Sequence, residues 1–238
     1  MAATSKLVPA PADGLFRVAK DPDPFTPWPP RSPADLSVPI LDGNRWDDPK
    51  AQFTTMYCAT SAVGAFGETI ARYRTSAGLL DRIEAFFAGN APDPEFDPPL
   101  EPGKVPEDYF ANRYLGHGRV TSAARFVDVE HPSTHSACSL GVLPRIHPFT
   151  NAAVVDRGTM HTADRRITRT ISRYFWELAQ TSDHNDWRGL RYQSRVFEEW
   201  ECWAVWEPTP MLPDPDVTKV TRTNTDLLEA AKLLDLEV

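Results

Sequence analysis

Five polar residues fall at the ends of predicted strands and helices, where side chains from distant parts of a chain can meet. They are Arg17, Arg45, Tyr57, Glu68 and Ser194. Arginine clamps phosphate groups through bidentate hydrogen bonds, and a carboxylate can stabilise positive charge on a reacting centre. The chain has no glycine-rich phosphate loop and no GxGxxG, HExxH or GxSxG motif. The interpretation therefore depends on this spread set of residues, whose types suit an anionic small molecule.

Two predicted strands and one predicted helix carry three of these residues. Leu15–Ala19 and residues 53–59 are rich in β-branched and aromatic side chains, which favours strands. Residues 61–74 form a predicted helix that has Ser61 as its N-cap and an apolar stripe at helical spacing. Glu68 falls on the opposite side of that helix, among small neighbours. We therefore expect room for a ligand beside its carboxylate.

The remaining elements favour an α+β fold in a single domain over residues 1–238. Further strands are predicted at residues 119–129, within 135–146, and at 189–194 and 202–206, and further helices at 164–179 and 225–236. Strands and helices do not alternate regularly, which favours a mixed or antiparallel sheet over a doubly wound fold. Proline-rich sequence predicts long loops at residues 21–49 and 91–106.

Composition excludes several classes of protein. A net charge of −8 argues against a nucleic-acid-binding protein, which needs a basic surface. No apolar run approaches the roughly 20 residues of a membrane helix. The first residues lack the apolar stretch of a signal peptide, so we expect a cytoplasmic protein. Cys58, Cys138 and Cys202 are odd in number and scattered, which indicates reduced thiols.

Several segments together resemble one known family. Residues 43–74 contain an Arg-Trp pair, a strand that includes Tyr57, and a helix that carries Glu68 eleven residues later. The late segment GLRYQSR contains Ser194 and precedes the strand CWAVWE, and the early segment LFRV contains Arg17. In these features the chain resembles the RES domain, a family named for its Arg, Glu and Ser.

The resemblance implies a sheet core like that of the ADP-ribosyltransferases and an activity that degrades NAD. Glu68, Arg45 and Tyr57 are the implied catalytic residues. Glu68 would stabilise the positive charge that forms on the ribose as its bond to nicotinamide breaks. Arg17 and Arg45 would clamp the pyrophosphate, Tyr57 would stack on the nicotinamide ring, and Ser194 would bind the ligand or orient Glu68.

Inorganic phosphate is the implied acceptor, which makes the expected enzyme an NAD phosphorylase that acts as a toxin and has no bound cofactor or metal. Arg191 and Arg195 are candidates for the phosphate subsite. Relative to compact members, residues 86–118 resemble a proline-rich insertion between a core (13–85) and the remainder (119–238) with the Ser-bearing strand. The family also implies a helix-turn-helix antitoxin as partner and a homodimer.

Other functions and other patterns stay open at this stage. Hydrolysis of NAD, ADP-ribosylation of a protein and a non-catalytic binding module on the same scaffold are the alternatives. The spacing of His131, His135 and Cys138 would suit zinc, although a plain loop is the simpler interpretation. An arginine stripe on the second helix, formed by Arg165, Arg169 and Arg173, is interpreted as a solvated face.

Overall fold

The computed structural model describes residues 4–238 apart from positions 27, 30, 41, 42, 76–80, 82, 83, 85–87, 89–100 and 122. Within these residues the strands are β1 (Leu7–Pro9), β2 (Leu15–Ala19), β3 (Thr55–Ala59), β4 (Tyr114–Val120), β5 (Arg125–Asp128), β6 (Trp187–Gln193), β7 (Glu201–Trp206), β8 (Met211–Pro213) and β9 (Thr218–Lys219). The α-helices are α1 (Ala62–Ile70), α2 (Glu107–Ala111), α3 (Pro132–Ile146), α4 (Arg157–Met160), α5 (Arg165–Ala179) and α6 (Thr225–Leu233). Short 3-10 helices cover Ala71–Tyr73 and Ser182–His184.

All nine described strands belong to one sheet, in the order β1-β5-β6-β7-β3-β2-β4-β8, and β9 pairs with β4. Neighbouring strands are antiparallel except β5 and β6, which are parallel. A parallel pair requires a crossover connection, and residues 129–186 supply it with helices α3, α4 and α5. The predicted α+β class with a mixed sheet is confirmed.

The sheet buries apolar side chains on both of its faces. In β7, Cys202, Ala204 and Trp206 join the larger hydrophobic cluster, which also contains residues of α1, α3, α5 and α6. Trp203 and Val205 point the other way into a smaller cluster. Strands β3 and β7 are therefore packed on both faces, which restricts the movement of the side chains that they position.

Helix α1 lies close to its predicted position. Ser61 is the N-cap, and its hydroxyl accepts a hydrogen bond from the Gly64 N–H at 3.0 Å. Phe66 and Ile70 are fully buried on the inner side. Glu68 is on the opposite, exposed side, as the helical spacing predicted.

The prediction of strands within residues 135–146 is wrong, because α3 covers this segment. The helix begins with Pro132 at its first position, where the missing N–H of proline has no cost. The His131 side chain caps it by accepting from the Ser133 N–H at 3.2 Å. Gly141 and Pro144 within the helix weaken the helical signal of the sequence.

One further boundary differs from the sequence expectation. The predicted strand at residues 119–129 is divided between β4 and β5 by a turn in which the Ala124 N–H bonds to the Thr121 carbonyl at 3.0 Å. Of the predicted insertion 86–118, the last residues belong to β4, which pairs with β2. Most of the predicted loop at 91–106 lies outside the described residues. No helix among the described residues has the length and apolarity needed to cross a membrane.

The N-cap of α1 gives a test of this part of the fold. We expect Ser61→Ala to lower the free energy of unfolding by about 1 kcal/mol, because the Gly64 N–H loses its acceptor. Ser61→Asp keeps an acceptor at the same position and serves as the matched control. Urea denaturation of both variants measures the effect, and equal losses in the two would contradict the capping role.

Candidate active site

A cavity of about 970 Å³ opens between β2, β3, α1 and the segment after β6. Eight cationic residues line it, namely Arg17, Lys20, Arg31, Arg45, Arg72, Arg113, Arg165 and Arg195, against three acidic residues, Asp47, Asp48 and Glu68. The whole chain carries a net charge of −8. Its cationic side chains are therefore concentrated in this cavity, which favours an anionic ligand there.

Glu68 lines the cavity, and Ser194 is buried behind it, outside the cavity lining. The Ser194 hydroxyl donates a hydrogen bond to the Glu68 carboxylate. The same oxygen accepts the N–H groups of Val196 at 2.9 Å and Phe197 at 3.3 Å. Because those contacts use its acceptor positions, the hydroxyl proton points at Glu68 and fixes the carboxylate.

The environment of Glu68 changes its acidity. Burial raises the pKa of this carboxyl above its ordinary value, and the Ser194 hydrogen bond and the charges of Arg45 and Arg195 oppose the rise. The side chain nevertheless keeps exposed surface. Both observations are consistent with a carboxylate recessed in a pocket that a ligand can enter.

Arg45 lies near Glu68 and is oriented by aromatic rings. Its guanidinium carbon lies 4.5 Å from the centre of the Trp46 ring and 5.4 Å from that of Tyr192. One terminal nitrogen donates to the Met160 carbonyl. The Nε atom is buried and has no hydrogen-bond partner among the described residues. Burial lowers the pKa of Arg45, yet a guanidinium stays charged at neutral pH.

Arg45 belongs to residues 44–48, here called the anchor loop. Tyr57 fixes this loop through its hydroxyl group. The Tyr57 hydroxyl donates to Asp47 at 2.8 Å and accepts the Trp46 N–H at 2.8 Å. Burial and the Asp47 charge raise the pKa of Tyr57 well above its usual value, so the hydroxyl remains a donor. Tyr57 thus organises the site through its hydroxyl, while its ring lines the cavity.

Helix α5 fastens the anchor loop from the other side. The Ser172 hydroxyl donates to the Trp46 carbonyl at 2.8 Å, and Arg169 Nε donates to the Asn44 carbonyl at 3.0 Å. Arg173 pairs with Asp48 at 3.2 Å. The anchor loop therefore has partners for backbone and side chains along its length.

These contacts correct the interpretation of the arginine stripe. Arg169 and Arg173 are 2% and 9% exposed, so they do not form a solvated face. The sequence pattern is misleading because arginine is mostly a surface residue, and its burial here depends on acidic partners in the anchor loop and, for Arg173, also on Glu177 of α5 at 2.7 Å. Asp47 and Asp48 receive these charges.

Arg17 lies in the cavity as expected, and Arg191 does not. Arg17 is buried on β2, donates to the Thr26 carbonyl at 3.5 Å, and has its pKa lowered by burial. Arg191 instead contacts Glu201 at 2.6 Å and Asp128 at 3.3 Å, outside the cavity lining. Side chains alternate along a strand, so Arg191 faces away from the side of β6 that Tyr192 shares with the site. Arg195, the other candidate, lines the cavity.

Sequence reasoning missed a carboxylate that supports the site from behind. Glu130 accepts the Gln193 N–H at 2.9 Å, directly before Ser194, and contacts His161 at 2.8 Å. His161 follows Met160, whose carbonyl receives Arg45. Glu130 therefore contacts two residues, Gln193 and His161, that are next in sequence to Ser194 and to the Met160 that binds Arg45. The sequence offers no spacing signal for it, because these segments meet only in the folded chain.

The candidate zinc ligands have other partners. His135 Nε2 lies 2.8 Å from the Val129 carbonyl, His131 caps α3, and buried Cys138 contacts the His135 carbonyl. The described residues contain no group of three or more His, Cys, Asp or Glu side chains placed for a metal ion.

Fold and site define an α+β protein with a cationic cavity and a recessed carboxylate. The RES domain matches residues 15–223, which is 209 of 238 residues, and the chain belongs to this family. The resemblance stated from the sequence is thereby confirmed. The family is associated with enzymes that act on NAD and with toxin-like function. No curated protein and no solved structure matches the chain.

The anchor-loop contacts predict a stability difference between two tyrosines. We expect Tyr57→Phe to lower the free energy of unfolding by about 1–3 kcal/mol, because the buried Trp46 N–H loses its acceptor. Tyr114→Phe is the control, since the Tyr114 hydroxyl has no hydrogen bond within the described structure. Urea unfolding compares the two variants. A loss at Tyr57 no larger than at Tyr114 would show that the hydroxyl does not fasten the loop.

Proposed function

We propose that this protein cleaves NAD at the bond between nicotinamide and ribose and transfers the ADP-ribose group to inorganic phosphate, with a toxin-like role. The observation that carries the proposal is the Glu68 carboxylate, which Ser194 fixes at the wall of a cationic cavity. A volume of about 970 Å³ is near the upper end of ligand sites, roughly 300–1,000 Å³, and suits a dinucleotide.

The chemistry assigns a role to the carboxylate. As the bond to nicotinamide breaks, its electron pair stays with the ring nitrogen, and positive charge builds on the ribose carbon. Glu68 stabilises that charge while it is ionised. The Ser194 hydrogen bond and the Arg45 charge favour the ionised form against the effect of burial.

The arginines and aromatic rings supply binding and orientation. Arg45 has a buried Nε donor without a protein partner, which a phosphate oxygen of the diphosphate would satisfy. Arg17 is the second clamp for the diphosphate. Tyr57 and Tyr192 are among the residues that line the cavity, and the half-buried Tyr57 is the proposed surface for the nicotinamide. The mixed sheet, with the cavity beside its interior strands β2 and β3, supports the proposed likeness to the ADP-ribosyltransferase fold.

The first test follows nicotinamide release from NAD in phosphate buffer and in phosphate-free buffer of equal ionic strength. We expect release that requires phosphate, with ADP-ribose-1″-phosphate as the product. Equal release in both buffers with ADP-ribose as the product would indicate a hydrolase. No release in either buffer would refute the proposal.

A substitution separates catalysis from binding. We expect Glu68→Gln to lower kcat by about 10²–10³-fold, because one preorganised charge is lost from the transition state, while NAD still binds. Glu229→Gln removes an exposed carboxylate from α6 and serves as the matched control. Unchanged turnover in the Glu68 variant would favour a non-catalytic binding module.

The pH dependence of kcat follows from the raised pKa of Glu68. Activity requires the ionised carboxylate, so it falls as the pH drops through a value above the ordinary glutamate pKa of about 4.3. The Ser194 hydrogen bond stabilises the ionised form, and Ser194→Ala raises the pKa further. We therefore expect the acid limb of the kcat profile to move to higher pH in this variant. An acid limb that stays in place or moves to lower pH would show that the Ser194 hydrogen bond does not stabilise the ionised Glu68.

A further inference from the structure

Lys20, Arg72 and Arg113, here called the basic triplet, line the cavity beside the helix that carries Glu68. In the β2–β4 pair, Ala19 lies opposite Tyr114; Lys20 directly follows Ala19, and Arg113 directly precedes Tyr114. These two cations therefore lie at the same end of this strand pair.

Arg72 approaches the same place from the end of α1. It lies in the 3-10 helix Ala71–Tyr73 that follows α1, four residues after Glu68, and both residues line the cavity. The Thr69 hydroxyl bonds to Tyr109 at 2.7 Å, and the Arg113 guanidinium lies 5.2 Å from the centre of that tyrosine ring. Tyr109 thus connects the Arg113 side of the triplet to the turn of helix between Glu68 and Arg72.

The residues that the structure describes leave the charges of the basic triplet without an acidic partner. Within the described part of the chain, no ion pair involves any of its three residues. The other acidic residues of the cavity pair with cations outside the basic triplet, Asp47 with Arg31 and Asp48 with Arg173. Glu68 bonds to Ser194 and forms no salt bridge with Arg72 among the described contacts.

We propose that the basic triplet is the subsite for the acceptor, inorganic phosphate, and this inference rests on the proposed function. Three cationic side chains that line one cavity match the charge and the several oxygens of a phosphate dianion. One phosphate oxygen forms the new bond to the ribose carbon, and the bond from that carbon to nicotinamide breaks. The bonding electrons leave with the ring nitrogen, which becomes neutral. The attacking oxygen of the dianion carries no proton, so Glu68 stabilises charge and removes no proton.

This assignment replaces Arg191 in the expected phosphate subsite. Arg191 is occupied by Glu201 and Asp128 outside the cavity, whereas the basic triplet lies inside it. The diphosphate of NAD is left to Arg17 and Arg45 in the proposed function. The dinucleotide and the acceptor are then held by separate cations, and substitutions can distinguish them.

The experiment compares Arg72→Gln/Arg113→Gln with Arg119→Gln, which removes an exposed cation of β4 outside the cavity lining. Initial rates are measured with varied phosphate at constant ionic strength, and then with varied NAD. We expect the KM for phosphate to rise about ten- to hundredfold in the double variant, as for lost hydrogen bonds to a charged group, with a far smaller rise in the KM for NAD. A rise in the KM for NAD with no rise in that for phosphate would overturn the proposal and assign the triplet to the dinucleotide.

A binding measurement keeps the inference testable apart from turnover. Titration of the intact protein with inorganic phosphate alone, followed by calorimetry or by phosphorus NMR, reports the subsite directly. The subsite is supported if phosphate binds to the wild type and to Arg119→Gln but not to the double variant. This holds even if NAD is not cleaved, and in that case only the proposed function fails. Absence of phosphate binding to the wild type, or equal binding to the double variant, refutes the subsite.

Discussion

The site depends on the attachment of the anchor loop to the sheet and to α5. Residues 44–48 have no regular backbone pairing, yet Arg45 must keep one position beside Glu68. Tyr57 from β3 and Ser172 from α5 bind the loop on opposite sides of Trp46, one at its N–H and the other at its carbonyl. A buried polar group without a partner is costly, so the loop has few alternatives to this conformation.

Electrostatics explains how an acidic protein can present a site to an anion. Arg169 and Arg173 are used internally, where carboxylates of the anchor loop balance them. The cations that line the cavity outnumber its acids by eight to three, and the sign of the local potential differs from that of the whole chain. A local field of this kind attracts an anionic ligand at short range, and salt weakens it.

The sequence was informative where local rules operate. Spacing placed Glu68 on the open side of α1 and Ser61 at its cap, and both are confirmed. It failed where partners come from distant segments. The burial of Arg169 depends on the anchor loop, and Glu130 acts through Gln193 and His161. Side chains alternate along β6, so Arg191 lies on the face opposite to Tyr192. This rule alone would have excluded Arg191 from the site.

The separation of site partners along the chain has a consequence for biosynthesis. Ser194 is 126 residues from Glu68, and Ser172 is 126 residues from Trp46. The crossover between β5 and β6 must be complete before α5 can hold the anchor loop, and β6 must pair before Ser194 can reach the carboxylate. A nascent chain still attached to the ribosome at residue 180 therefore contains Glu68 and Arg45 without the arrangement that would make them reactive. This order delays assembly of the site until β6 has been synthesised and paired.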